Sequence, residues 1–142
     1  MPHFSRSSWS KLETCHEDLQ RLFCDVVRNF DCKVIEGHRT TARQQDLFAQ
    51  GRTRPGPIVT NCDGVNKKSR HQTSPSVAVD VVPYFADVPH IRWDDRDSFF
   101  ELAGFVQATA IKLGIRIRWG GHWSRFPDLP HWEVEHEMET DT

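Results

Sequence analysis

The chain has 142 residues, enough for one domain with a real core. Hydrophobic residues make up 37%, charged residues 27%, and the formal net charge is -2. This balance argues against a membrane-spanning chain and against a global basic field for nucleic acid or anionic surfaces.

The start, Met1-Pro2-His3-Phe4-Ser5-Arg6, lacks the apolar core of a signal peptide, so the expectation is a cytoplasmic protein. Residues 1–12 read as a flexible lead. Thr14-x-x-Glu17 reads as a capping box for a first helix. Leu19, Leu22, Phe23, Val26, Val27 and Phe30 follow at helical spacing and mark one buried stripe. Lys33-Val34-Ile35-Glu36-Gly37 reads as a short strand. Thr40 or Thr41 can cap a second helix that runs to Gln50 and stops at Gly51.

Residues 51–70 are polar and rich in Gly and Pro, and longer than a usual connection, which suggests a functional loop. Within it, Lys67-Lys68-Ser69-Arg70 is either a solvated turn or the lining of a site for an anionic substrate. The solvated turn is the simpler reading for the lysines. Val77 to Val82 is the strongest strand candidate, ended by Pro83. Asp97 can cap a third helix, with Phe99, Phe100, Leu102, Ala103, Val106, Ala110 and Leu113 inward and Gly114 as the stop. A strand Ile115–Trp119, a Gly120-Gly121 turn and a last strand near His131-Trp132-Glu133-Val134 complete the order. The acidic tail 136–142 is expected to be flexible. The pattern gives an α+β fold, a small, mostly antiparallel sheet with about three helices packed on it, as a single domain over 1–142.

Four cysteines, Cys15, Cys24, Cys32 and Cys62, include no Cys-x-x-Cys pair, so a structural zinc knuckle is not indicated. Cys15 and Cys24 fall in the first predicted helix. Free thiols are expected rather than disulfides.

Chemistry concentrates in His71, Asp80 and His131. Two imidazoles and a carboxylate are a three-ligand set for a catalytic zinc with one open position. Asp80 stands inside an apolar strand, where a carboxylate needs a partner, and a metal is an adequate one. Asp128, three residues before His131, is either the general base or a turn residue before Pro130. Arg39 is either an oxyanion-stabilising cation or a surface arginine at a helix start, where its charge is mildly misplaced. Glu133 is either a partner for a ligand histidine or structural. His122 is a substrate contact or a rival ligand. Trp119, Trp123 and Trp132 are either core or a groove wall. The set reads as a zinc hydrolase.

These residues resemble the phage-type peptidoglycan L-alanyl-D-glutamate endopeptidases, relatives of the D-Ala-D-Ala carboxypeptidases and dipeptidases and of the Hedgehog signalling domain. The resemblance covers Val34 to Thr40, Gln50 to Asn61, Ser69-x-His71 through Ala78-x-Asp80, Arg118-Trp119-Gly120-Gly121 and Asp128-x-x-His131-Trp132-Glu133, or roughly residues 15–135. It implies one Zn2+ on His71, Asp80 and His131, Asp128 as acid/base, Arg39 on substrate or oxyanion, and Ser69 supporting the first ligand. The chain departs from the commoner family pattern in one place. Its His-to-Asp spacing is two residues longer, with Ser76 where a glycine is usual, which resembles a subgroup pattern. The resemblance implies a monomeric phage or prophage endolysin. It would accumulate in the host cytoplasm, pass a membrane pore and cut the stem peptide for host lysis. A D,D- or L,D-carboxypeptidase and a non-catalytic Hedgehog-like module are the alternatives.

Overall fold

The structure, a computed structural model, describes residues 3–135. In chain order its elements are α1 (Arg6–Leu12), α2 (Glu17–Val26), β1 (Cys32–Glu36), α3 (Thr41–Ala49), β2 (Ala78–Pro83), α4 (Arg96–Leu113), β3 (Ile117–Trp119) and β4 (His131–Val134). The strands form one sheet in the order β1-β2-β4-β3, every neighbouring pair antiparallel. The expected α+β architecture is what the chain adopts.

Helices α2 and α4 pack against each other and against one face of the sheet. The predicted stripe on α2 is real: Leu19, Leu22, Phe23 and Val26 are fully buried. They meet Val34, Val79, Val81 and Trp132 from the strands and Leu102 and Val106 from α4 in one continuous cluster. Phe23 meets the Trp132 ring edge-on at 6.4 Å. Each such burial contributes roughly 1.5–3 kcal/mol, so the sheet's inner face is firmly specified. The other face is left for chemistry.

The lead expected to be loose over residues 1–12 contains α1 instead. Ser5 caps it, accepting from the Ser8 amide at 3.1 Å. The Ser8 hydroxyl then accepts the Val34 amide of edge strand β1 at 3.1 Å, and Leu12 is fully buried. A polar run hides this helix, because serine serves here as a cover for a strand edge. Thr14 is not the cap of α2. His16 is, its Nδ1 accepting from the Asp18 amide at 3.0 Å. Thr14 donates to the Lys11 carbonyl and accepts from the His38 amide instead. Cys24 lies in α2, but Cys15 precedes it and bridges to Ser76.

Thr40 caps α3. Asp95, not Asp97, caps α4, accepting from the Ser98 amide at 3.2 Å. Phe100 is half exposed rather than inward, with its ring edge-on to Trp119. Gly114 ends α4 as expected. All four cysteines are free thiols. The expectation for the tail 136–142 falls outside the described residues.

Candidate metal centre

Asp80 and His131 face each other directly across the β2–β4 ladder. Cross-strand partners leave the sheet on the same side, so the register itself brings two donors together. Val79 and Val81, flanking Asp80, turn the other way into the core and are fully buried. His71 arrives from a short 3-10 helix, Arg70–Gln72, that enters from the long loop. Ser69 caps this turn, its hydroxyl accepting from the His71 amide at 3.2 Å, while the Gln72 side chain accepts from the Ser69 amide at 2.8 Å.

Each imidazole has one nitrogen tied and one free. His71 Nδ1 lies 2.8 Å from the Gly37 carbonyl oxygen. A carbonyl only accepts, so Nδ1 carries the proton and Nε2 keeps its lone pair. On His131 the tied atom is Nε2, 2.8 Å from Glu133 Oε1, which frees Nδ1. The two free nitrogens lie 3.4 and 3.5 Å from one oxygen, Asp80 Oδ1. His71 Nε2 and Asp80 Oδ1 are buried without a hydrogen-bond partner, a costly condition unless a further group joins them. The three donor atoms lie within 4.8 Å of one another. Donors on a tetrahedral zinc with bonds of about 2.0–2.1 Å sit roughly 3.3 Å apart, so these residues fit one shared cation.

Two glycines allow the approach. A Cβ at Gly37 would collide with the Lys11 carbonyl oxygen, so only glycine lets this backbone carbonyl reach His71. A Cβ at Gly120 would come within 2.9 Å of His131 Cβ, so the turn after β3 closes tightly on His131. Ser76, the departure from the commoner pattern, is fully buried and bonds both the amide and the carbonyl of Ala78.

A second ring of charges surrounds the donors. Glu133 Oε2 pairs with Arg70 at 3.0 Å and Arg118 at 3.1 Å. A bulge between Val34 and Glu36 sets Glu36 opposite Asp80. Arg39 bridges these two carboxylates, at 3.0 Å from Glu36 Oε1 and 3.6 Å from Asp80 Oδ2. Gln44, fully buried on α3, accepts from Arg39 at 2.8 Å and donates to the Cys62 carbonyl at 2.8 Å.

Ionisation follows from these neighbours. Burial would raise the Asp80 carboxyl, but the His71 and His131 imidazoles outweigh it and hold Asp80 below the usual carboxylate range. Burial would depress His131, but the Asp80 and Glu133 carboxylates lift it to about 9. A positive charge is thus favoured at this spot. Burial, then the charge of Asp80, raises the Asp128 carboxyl, which makes it a better proton acceptor than an exposed aspartate.

His71, Asp80, His131, Asp128, Arg39, Ser69 and Glu133 all line one groove of about 1120 Å³. Lys67 and Lys68, read above as a solvated turn, line it as well. His122 does not line it; its ring packs on Trp119 at 5.0 Å. Trp119 is buried, stacks on Trp132 at 5.5 Å and donates to the Leu129 carbonyl at 2.7 Å, so it supports the segment leading to His131 from below. Trp123, by contrast, lines the groove, 4.9 Å from the His131 ring. Glu36 and Gln44 were missed by sequence reasoning. Glu36 gives the same signal as Asp80, an acid in an apolar strand. Gln44, on a polar helix, gives none.

Both the sequence and the fold are similar to those of known proteins. The peptidoglycan L-alanyl-D-glutamate endopeptidase CwlK of Bacillus subtilis (strain 168) is 31% identical over 109 residues, 75% of this chain and 62% of that protein. The match therefore spans less than two thirds of CwlK. The crystal structure of the Serratia marcescens L-Ala D-Glu endopeptidase ChiX is similar with a TM-score of 0.72 at 29% identity, over 93% of this chain and 89% of that one. Residues 1–140 match the family described as phage L-alanyl-D-glutamate peptidase. Matched over nearly its full length and alike in fold, the chain belongs to the phage L-alanyl-D-glutamate peptidase family.

Proposed function

We propose that the chain is a zinc-dependent peptidoglycan hydrolase that cleaves the amide between L-Ala and D-Glu of the stem peptide, as a phage or prophage endolysin. The observation that carries this reading is the convergence of two lone-pair nitrogens and one unpartnered carboxylate oxygen on a common point. The names of the family, of CwlK and of ChiX support the bond. Among the described residues no helix is long and apolar enough to cross a membrane. An endolysin made in the host cytoplasm would reach the wall through a separate pore.

His71, Asp80 and His131 would hold the zinc. When bound, zinc supplies Lewis-acid polarisation of a carbonyl and acidifies water. Asp128 accepts a proton from the attacking water and returns it to the departing D-Glu nitrogen as the carbon–nitrogen bond breaks. The products are an L-Ala carboxylate and a free amine. Arg39 keeps Asp80 turned toward the imidazoles and contributes positive charge to the groove. Glu133 and Gly37 keep the two imidazoles in the tautomers that ligation needs.

Mass spectrometry of fragments released from purified peptidoglycan by the zinc-loaded protein tests this. New amino-terminal D-Glu with L-Ala left on the glycan is the expected result. Release of terminal D-Ala would assign a carboxypeptidase instead. Asp128→Asn should keep its metal but lose turnover by about 10²–10⁴-fold. A variant that still turns over normally would remove Asp128 from the reaction.

A further inference from the structure

Three large aromatic side chains of this groove stay in contact with solvent. Trp93, Trp123 and Phe126 line it and are 56%, 40% and 65% exposed. Exposed rings gathered in one groove mark a binding surface rather than stray surface residues. Their placement is held from beneath. Trp93 stacks on Phe99 at 6.5 Å, and Trp123 leans on His131 at 4.9 Å. Phe126 adopts a φ of +53°, a backbone region that a bulky residue enters only under constraint.

The same groove also carries positive charge. Arg125 lies in sequence between Trp123 and Phe126, and Lys67 and Lys68 line the groove from the loop that delivers His71. The substrate of the proposed reaction likewise offers both a charged part and an uncharged one. Beyond D-Glu it carries carboxylates. Before L-Ala it is joined to a sugar with no comparable density of charge. A pyranose presents C–H groups on its faces and hydroxyls around its rim, so a flat aromatic ring covers the face while the rim stays wet.

We infer that Trp93, Trp123 and Phe126 form a glycan subsite that holds the N-acetylated sugar on the amino side of the cleaved bond, with Lys67 and Lys68 facing the acidic peptide. This deepens the endopeptidase reading and rests on it. The subsite makes the enzyme prefer stem peptides still attached to glycan over free stem peptide.

The test compares kcat/KM on glycan-linked stem peptide with kcat/KM on free stem peptide. The ratio is insensitive to the fraction of folded enzyme. In Trp93→Ala/Phe126→Ala it should fall about tenfold, from two lost stacking contacts. Trp93→Phe/Phe126→Tyr should keep it. An unchanged ratio in the alanine pair overturns the subsite. Calorimetry with glycan strands stripped of their peptides gives a second readout, independent of turnover. Saturable binding by the native protein and its loss in the alanine pair are expected. No binding by the native protein, or equal binding by both, overturns the subsite. If the native protein cleaves neither peptide substrate, the endopeptidase reading fails, while stripped-strand binding still decides the subsite.

Discussion

A histidine can ligate through either nitrogen, and here the neighbours choose. Gly37 ties His71 through Nδ1, and Glu133 ties His131 through Nε2. The two imidazoles therefore present different atoms to the same point. Glu133 is itself held by Arg70 and Arg118, and burial, which would raise its carboxyl, is outweighed by His131 and the arginines. Glu133→Gln keeps the shape but removes the charge that makes the His131 imidazole a strong donor. Zinc affinity should fall about 10–100-fold, read by competition with a coloured chelator. Unaltered affinity would make Glu133 a purely structural residue. The three donors that the fold brings together were legible in the sequence because each is a metal-binding residue type, and Asp80 stands inside an apolar strand where a lone carboxylate is disfavoured. The roles of Trp119 and Trp123 were not, because these residues flank the Gly120–His122 turn on opposite sides, and the turn sends one ring into the core and the other into the groove.

Elements were legible where apolar spacing was strong, as in α2, β2 and α4. They were misread where a short polar side chain had two plausible jobs. Thr14 and Asp97 both fit a cap, yet His16 and Asp95 do the capping. The sequence likewise could not show that Ser8 of α1 covers β1. The loop before His71 is ordered by its own local device. Asp63 Oδ1 accepts from the Lys67, Val65 and Asn66 amides at 2.9, 2.9 and 2.8 Å. These bonds, Lys67 first, lower the Asp63 carboxyl. A lowered carboxylate supports the fold above its ordinary range and loses that support as pH falls through the lowered value. In an NMR pH titration, the amides of Val65, Asn66 and Lys67 should move with a midpoint below the ordinary aspartate value of about 3.9. A midpoint at or above that value would refute this account of the loop.

At the scale of the molecule, the helices and one sheet face make the core, and the other face gathers carboxylates that a cation would neutralise. Metal and stability should therefore be linked. With free zinc about 100-fold above its Kd, the linkage is about 2.7 kcal/mol, or a rise of roughly 5–10 °C in Tm for a chain of this size. Calorimetry of chelated and zinc-loaded protein should show that rise, and His71→Ala should abolish it. Equal Tm values with and without zinc would count against the metal centre itself.

Strand order carries one more consequence. β4 is the last strand among the described residues, yet it lies between β2 and β3, and it brings His131. Until residues 131–134 have emerged from the ribosome, β2 lacks one neighbour, β3 has none, and the donor set is incomplete. A chain cut before residue 131 would thus lose the centre of the sheet and one of the three gathered donors together, so sheet closure and site assembly are a single event.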